Sequence, residues 1–190
     1  MITIEKIIIV GAGGLGREIL ANISNTSLSE KYEVIGFVDD ALNKDEVVNN
    51  KNILGNLNWL MNQNSISVIL AIGNPQIRRK IYNILSVNEN IKFPTIIHPT
   101  STIQDIENCT IGKGCFVGQN VILTTNVTIE DFCLLNIGCS LHHDTIIKSF
   151  SVIMPGVRIT GGATIGEASY LGPNIAIAKK IHIESDSVIN

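Results

Sequence analysis

The chain has 190 residues and a formal charge of −3, with 45% hydrophobic residues of which few are aromatic. No long basic run points to nucleic acid or a polybasic membrane patch, and no apolar run nears the ~20 residues of a spanning helix. The length suffices for one or two domains with a sizeable core, and a chain rich in Ile, Val and Gly suits thin stacked coils better than a sandwich or bundle.

The amino end, MITIEKIIIVGAGG, reaches glycine after four aliphatics and lacks the layout of a secretory signal. Lys6 to Val10 (KIIIV) is expected to be a buried parallel strand, an unbroken apolar run ending in glycine. Gly11-Ala12-Gly13-Gly14-Leu15-Gly16 follows, and Arg17 to Ile23 reads as a helix whose N-terminus can hold an anion. The turn fits the GxGxxG fingerprint, in which glycines let backbone N–H groups approach a phosphate; the same letters also make a plain tight turn. Tyr32 to Val38 reads as the second strand, closed by Asp39-Asp40, where such folds hydrogen-bond a ribose or base.

Trp59-Leu60 marks a brief helix, and Ser67 to Ile72 a third strand ending at Gly73-Asn74. Pro75 opens a helix through Leu85, and Lys92 to Ile97 is the last strand before His98-Pro99. A full NAD domain needs two βαβαβ halves, and residues 1–95 provide little more than one. A sugar-nucleotide-binding role for this first, Rossmann-like α/β domain therefore fits better than hydride transfer. A nicotinamide-dependent enzyme that uses the rest of its chain for assembly stays open as an alternative.

Residues 96–190 form the second domain. From Ile111 to Ile189 an aliphatic residue falls on every sixth position, and a column of small or β-branched residues stands two places before it. That period fits neither a helix nor a lone alternating strand; it is the signature of a hexapeptide β-helix with 18 residues per triangular coil. The aliphatic column points inward, and stacked coils bury it as one core. The phase slips by two residues between Ile103 and Ile111, so Gln104 to Asn108 are expected to bulge from the first coil. About five coils follow, a prism roughly 25 Å long at ~4.8 Å per coil. The array runs to Asn190 with no polar cap, so the last coil is expected to be covered by something else or continued. Cys109, Cys115, Cys133 and Cys139 all fall in the small inward column, which reads as packing; Cys115 and Cys133 should stack on successive coils but stay reduced in a cytosolic protein.

One hexapeptide is chemically unusual: Leu141-His142-His143-Asp144. Positions 18 apart share a corner, so one column reads Thr125, His143, Gly161, Lys179 and the next Asn126, Asp144, Gly162, Lys180. An imidazole beside a carboxylate and below two glycines can serve as a general base. The glycines leave room for a thioester, and a free N–H there can hydrogen-bond its carbonyl oxygen. Against this stands the ordinary reading, a solvent-facing turn histidine. His98, His142 and His182 share no column, and no metal site is expected.

The stretches IIIVGAGGLGRE, GFVDDAL, VILAIGNPQIRRKIY, IIHPTSTI and LLNIGCSLHHDTII, with the hexapeptide array, resemble the two-domain bacterial sugar acetyltransferases. This is the family of PglD, the perosamine N-acetyltransferases and the sialic acid O-acetyltransferase NeuD. The resemblance covers essentially the whole chain. It implies a cytoplasmic acetyltransferase with a left-handed β-helix, trimeric, binding acetyl-CoA as co-substrate between neighbouring prisms, without metal, nucleic acid or membrane insertion. It further implies His143 as base, Asp144 as its acidic neighbour, Asn136 and His142 near the acceptor, and Gly161, Gly162 and Lys179 toward the coenzyme. Gly11, Gly13, Gly14, Leu15, Asp39 and Asp40 would hold the sugar nucleotide. N-acetylating members often carry histidine where this chain has Leu15, which leaves N- and O-acetylation both open. The alternatives are acetylation of sialic acid or an amino acid, and a non-catalytic sugar-nucleotide-binding protein.

Overall fold

The computed structural model describes residues 4–190; Met1–Thr3, part of the amino end read above for a signal, lie outside the described residues. The chain divides into two compact units. One comprises residues up to Gly73 with Lys80–Pro94, the other Asn74–Arg79 with Thr95–Asn190.

Up to Pro94 the chain runs β1 (Glu5–Val10), α1 (Gly14–Ser24), β2 (Tyr32–Val38), β3 (Val47–Val48), β4 (Lys51–Gly55), α2 (Leu57–Met61), β5 (Ile66–Leu70), α3 (Pro75–Leu85), whose start through Arg79 belongs to the second unit, and β6 (Ile91–Lys92). The first unit's sheet has the order β3-β4-β2-β1-β5-β6, parallel except for the β3–β4 hairpin. Central β1 buries Ile7, Ile8, Ile9 and Val10, and the stripe Ile19, Leu20 and Ile23 of α1 is buried as well, as parallel strands with helical crossovers require.

Three local readings change. The first helix begins at Gly14, with Gly13 as its extended N-cap. The expected strand Lys92 to Ile97 is two: Ile91–Lys92 joins β5, while Ile96–Ile97 pairs with Phe116–Val117 in the second unit. Pro94 between them has no N–H to give to a ladder. The β3–β4 hairpin went unread because its signal is brief. Its two turn residues, Asn49 and Asn50, have φ of 45° and 63°, the left-handed pair that matches strand twist in two-residue hairpins.

In the second unit, two-residue strands stack into three parallel sheets of six, five and five strands. Rungs repeat every 18 residues, as in Phe116↔Leu134↔Val152, Ser140↔Arg158 and Thr128↔Ile146. The first coil is two residues longer, pairing Ile97 with Val117 and Ile103 with Leu123. The slack lies between the strands Thr102–Ile103 and Thr110–Ile111, where the bulge was expected. Val117, Leu123, Ile129, Leu135, Leu141, Ile147, Ile153, Ile159, Ile165 and Leu171 form the buried spine. Each contributes about 1.5–3 kcal/mol by leaving water. The small column carries its own polar bonds: the Cys115, Cys133 and Cys139 thiols and the Ser151 and Ser169 hydroxyls each donate to the carbonyl 15 residues on. The four thiols are free.

From Phe132 onward each corner closes on a residue with positive φ whose N–H reaches back one coil. Asp144 donates to the Thr125 carbonyl at 3.2 Å, Gly162 to His143 at 2.9 Å and Phe132 to Lys113 at 2.8 Å. One corner places Phe132 and Phe150 in this conformation, which bulky residues rarely adopt. Their rings stack at 5.3 Å, and the fully buried Arg78 donates from Nε to the Phe132 carbonyl at 2.7 Å. Burial lowers the Arg78 guanidinium to about 10, so it stays charged at neutral pH.

Candidate active site

The chemistry gathers at the corner after the strand Ser140–Leu141. Leu141 is buried in the spine and His142 N–H bonds the Ile159 carbonyl, so the two residues that follow are thrown out at the edge. Asp144 takes φ of +60°, a conformation that Asp and Asn tolerate better than most residues. With that backbone fixed, Asp144 Oδ2 sits 2.8 Å from His143 Nδ1, and Oδ1 accepts from Asn126 Nδ2 at 3.1 Å. The hydrogen bonds from His143 first, then from Asn126, hold the Asp144 carboxyl below its ordinary range. A carboxylate on Nδ1 assigns the ring proton to that nitrogen and leaves Nε2 as the basic one.

The ring lies against Gly161. A Cβ added to Gly161 would stand 2.8 Å from His143 Cδ2 and closer still to Cε1 and Nε2. Only glycine fits above the imidazole, and the reason is contact rather than backbone strain. Among the described residues the Gly161 N–H has no acceptor. Gly162 has φ of +72°, and its Cβ would meet Lys180 Cγ at 3.2 Å. The 18-residue column therefore brings His143, Asp144, Gly161 and Gly162 together as expected, and the exposed Lys179 belongs to the coil above.

Asn136 does not join them within one chain. It follows the strand Leu134–Leu135, on the preceding corner of the prism, where it is 8% exposed and its Oδ1 accepts the Ile137 N–H at 2.7 Å. Sequence reasoning named Asn126 in the Asp144 column but gave it no part; the 18-residue spacing alone was the available signal. It also missed the bulge's contribution, the Asp105 carboxylate that accepts from the Thr125 hydroxyl in the same corner. That bond, with Asn108, holds the Asp105 carboxyl low.

In the first unit the glycine turn is built by close approach. A Cβ at Gly16 would strike the Gly11 carbonyl, and one at Gly11 would stand 2.8 Å from the Ala71 oxygen. Among the described residues, nothing lies within 4 Å of a Cβ added at Gly13 or Gly14, and no side chain caps α1. The turn thus presents open space and helix N–H groups, as an anion requires. Leu15 is half-buried in the first turn of α1. The two aspartates already have internal tasks. Asp39 accepts the Ala12 and Ala41 N–H groups, each at 2.9 Å, and Asp40 accepts Leu57 N–H at 2.8 Å. Each carboxylate oxygen keeps a second lone pair for a ligand. A cleft of about 410 Å³ runs along α1, lined among others by Arg17, Asn25, Asn49, Asn50 and Lys51. Among the described residues, no cluster of three or more His, Cys, Asp or Glu is placed to hold a metal, and no helix is long and apolar enough to cross a membrane.

Comparison with known proteins agrees with both units. Residues 6–85 match the family model of the PglD N-terminal domain. The chain is 28% identical over 178 residues to the GDP-perosamine N-acetyltransferase of Escherichia coli O157:H7, covering 91% of this chain and 78% of that one. The acetyltransferase domain of PglB from Neisseria gonorrhoeae FA1090 superposes with a TM-score of 0.86 at 27% identity, over 97% of this chain and 87% of its own. Its complex with acetyl coenzyme A gives 0.86 at 26% identity, over 98% and 88%. PerB from Caulobacter crescentus shares the fold, with a TM-score of 0.73 at 20% identity, over 96% and 93%. Residues 6–85 are thus similar to the PglD N-terminal domain, and the chain along nearly its whole length is similar to sugar acetyltransferases.

Proposed function

We propose that this protein transfers acetyl from acetyl-CoA to the amino group of a nucleotide-linked sugar, with His143 as general base. The observation that carries the reading is the His143–Asp144 pair set under Gly161, where the ring's basic Nε2 lies against a glycine whose N–H has no acceptor among the described residues. His143 Nε2 takes the proton from the attacking nitrogen as the N–C bond forms. Asp144 keeps Nδ1 protonated, fixes the ring's orientation and balances the imidazolium. The Gly161 N–H faces the carbonyl oxygen as it gains charge, and the imidazolium returns its proton to the departing thiolate sulfur. Such a base contributes ~10²–10⁴ in rate, and a fixed N–H donor adds to it by being aimed in advance. An amine acceptor is favoured over a hydroxyl by the likeness to a perosamine N-acetyltransferase.

The glycine turn of the first unit, Gly11, Gly13 and Gly14, would take the diphosphate on the α1 N–H groups, with Asp39 and Asp40 toward the ribose or base and Leu15 toward the sugar. Gly162, Lys179 and His142 would line the approach of coenzyme and acceptor. Asn136 and His143 occupy different corners of one prism. A site that uses both needs two copies of the chain, which supports a homotrimer with active sites between prisms. We read the reaction as cytoplasmic.

The test is thiol release from acetyl-CoA against a panel of UDP-, GDP- and dTDP-amino sugars, CMP-sialic acid and free sialic acid. A nucleotide-linked amino sugar should turn over fastest, and His143→Ala should lose ~10²–10⁴ in kcat while still binding acetyl-CoA. An unchanged rate in His143→Ala removes the base from the mechanism; release only with sialic acid moves the acceptor to a hydroxyl.

A further inference from the structure

We infer that Asn126 is a positioning residue for the proposed reaction, acting through Asp144 to hold the His143 ring; the inference rests on the proposed role of His143 as base. The Asp144 side chain is 57% exposed, and its partner ring 53%. An exposed carboxylate turns freely about its last bond unless something holds its second oxygen. Asn126 does so: its Nδ2 donates to Oδ1 at 3.1 Å, which leaves Oδ2 on His143 Nδ1 at 2.8 Å. Ordinary corner chemistry does not call for this bond. The corner's backbone is already closed by Asp144 N–H on the Thr125 carbonyl, and the left-handed conformation at 126, with φ of +53°, would be met as well by glycine. The amide therefore adds something that the turn does not need.

It also comes from a firm base. Thr125, the neighbour of Asn126, gives its hydroxyl to Asp105, which is itself tied to the Asn108 amide and N–H. The two-residue insertion in the first coil thus braces the coil from which Asn126 reaches up. The line runs from Asp105 through Thr125 and Asn126 to Asp144 and His143, each step a hydrogen bond or a peptide neighbour.

Asn126→Gly removes the amide and keeps the backbone conformation, and Asp144→Gly does the same for the carboxylate. The expected result is a threefold to tenfold fall in kcat for Asn126→Gly, roughly the worth of one net hydrogen bond. KM for acetyl-CoA should not move. In the Asp144→Gly background the same change should have no further effect, because its route to the ring is gone. An equal fall in both backgrounds would make Asn126 a structural residue, and no fall in either would remove it altogether. A second measurement does not depend on turnover. In ¹H–¹⁵N spectra of the imidazole rings, with the His143 signals assigned from His143→Gln, the hydrogen-bonded Nδ1–H of the free protein should weaken or exchange faster in Asn126→Gly. An Nδ1–H signal identical to wild type overturns the inference even if the acceptor or the reaction were read wrongly. A changed signal with no acetyl transfer to any acceptor would keep the hydrogen-bond link from Asn126 to the ring but sink the proposed function, and the positioning role with it.

Discussion

The glycine turn and the prism corner both carry carboxylates beside glycines, yet they use them in opposite ways. At the turn, Asp39 and Asp40 point at backbone N–H groups of their own unit and hold loops in place. At the corner, the backbone is held by other backbone, and Asp144 is left to hold a titratable ring. The glycines differ in the same sense. Gly11 and Gly16 are glycines because the chain packs on itself, Gly13 and Gly14 have open space, and Gly161 is glycine because a histidine ring lies where its Cβ would be. A binding surface can be made from backbone with its side chains spent on architecture. A proton-transfer site cannot, because its side chains have to stay free.

Gly161→Ala is the sharpest way to break this contrast. The added methyl would overlap His143, and since φ at 161 is not in the left-handed range, the ring rather than the backbone must move. A displacement of ~1 Å at a catalytic group can cost on the order of 10²-fold. The expected outcome is a loss of about that size in kcat/KM, with thermal stability nearly unchanged by calorimetry. A variant as active as the parent would show that His143 does its work elsewhere. Asp39→Ala should do the reverse. It leaves the part-buried Ala12 N–H unpaired, so about 1–3 kcal/mol of stability should be lost in denaturant unfolding, and the lost contact to the ribose or base should raise KM for the sugar nucleotide while KM for acetyl-CoA stays put.

Why the two regions were unequally legible follows from the same physics. The prism writes itself in sequence because each rung repeats the one below. The spine from Ile111 to Ile189 and the column Thr125, His143, Gly161 could be read by counting, and the structure places the ring against Gly161 as the count requires. Counting gives columns but not side-chain rotamers, so Asn126 was visible as a neighbour and invisible as a donor. The first unit has no repeat. Its apolar runs gave β1 and β2 and the proline start at Pro75 gave α3, while the hairpin at Asn49-Asn50 depends on two backbone angles and passed unread. The aspartates after β2 matched a ligand pattern, and only coordinates reveal that Ala12, Ala41 and Leu57 already occupy them.

Gly13→Ala tests the open side of the turn. Its φ of −69° suits any residue and, among the described residues, nothing lies within 4 Å of the new Cβ, so the fold should be unaffected or gain up to ~1 kcal/mol from a stiffer unfolded chain. If the α1 N–H groups hold the sugar nucleotide's diphosphate, the methyl intrudes on that space. KM for the sugar nucleotide should then rise several-fold while KM for acetyl-CoA stays put. Equal KM values in variant and parent would leave the turn with an architectural role only.

The smallest effect is expected beside the catalytic pair, at Thr145. Its column mates Cys133, Cys139 and Ser151 each give a proton to the carbonyl 15 residues on, but the fully buried Thr145 hydroxyl has no partner among the described residues. A buried unpaired hydroxyl costs about 1–3 kcal/mol, and valine keeps the β-branched shape while removing it. Thr145→Val should therefore raise stability by roughly 0.5–1 kcal/mol, or about 1–4 °C in Tm for a chain of this size. Its neighbour Asp144 is fixed by bonds to Thr125, Asn126 and His143 that do not involve residue 145, so kcat should match the parent. Ser151→Ala supplies the opposite sign in the same column, since it discards a made bond to the Gly166 carbonyl. Should Thr145→Val destabilise as Ser151→Ala does, the hydroxyl has an acceptor after all, and the column's pattern of donation 15 residues on extends through the corner that carries His143.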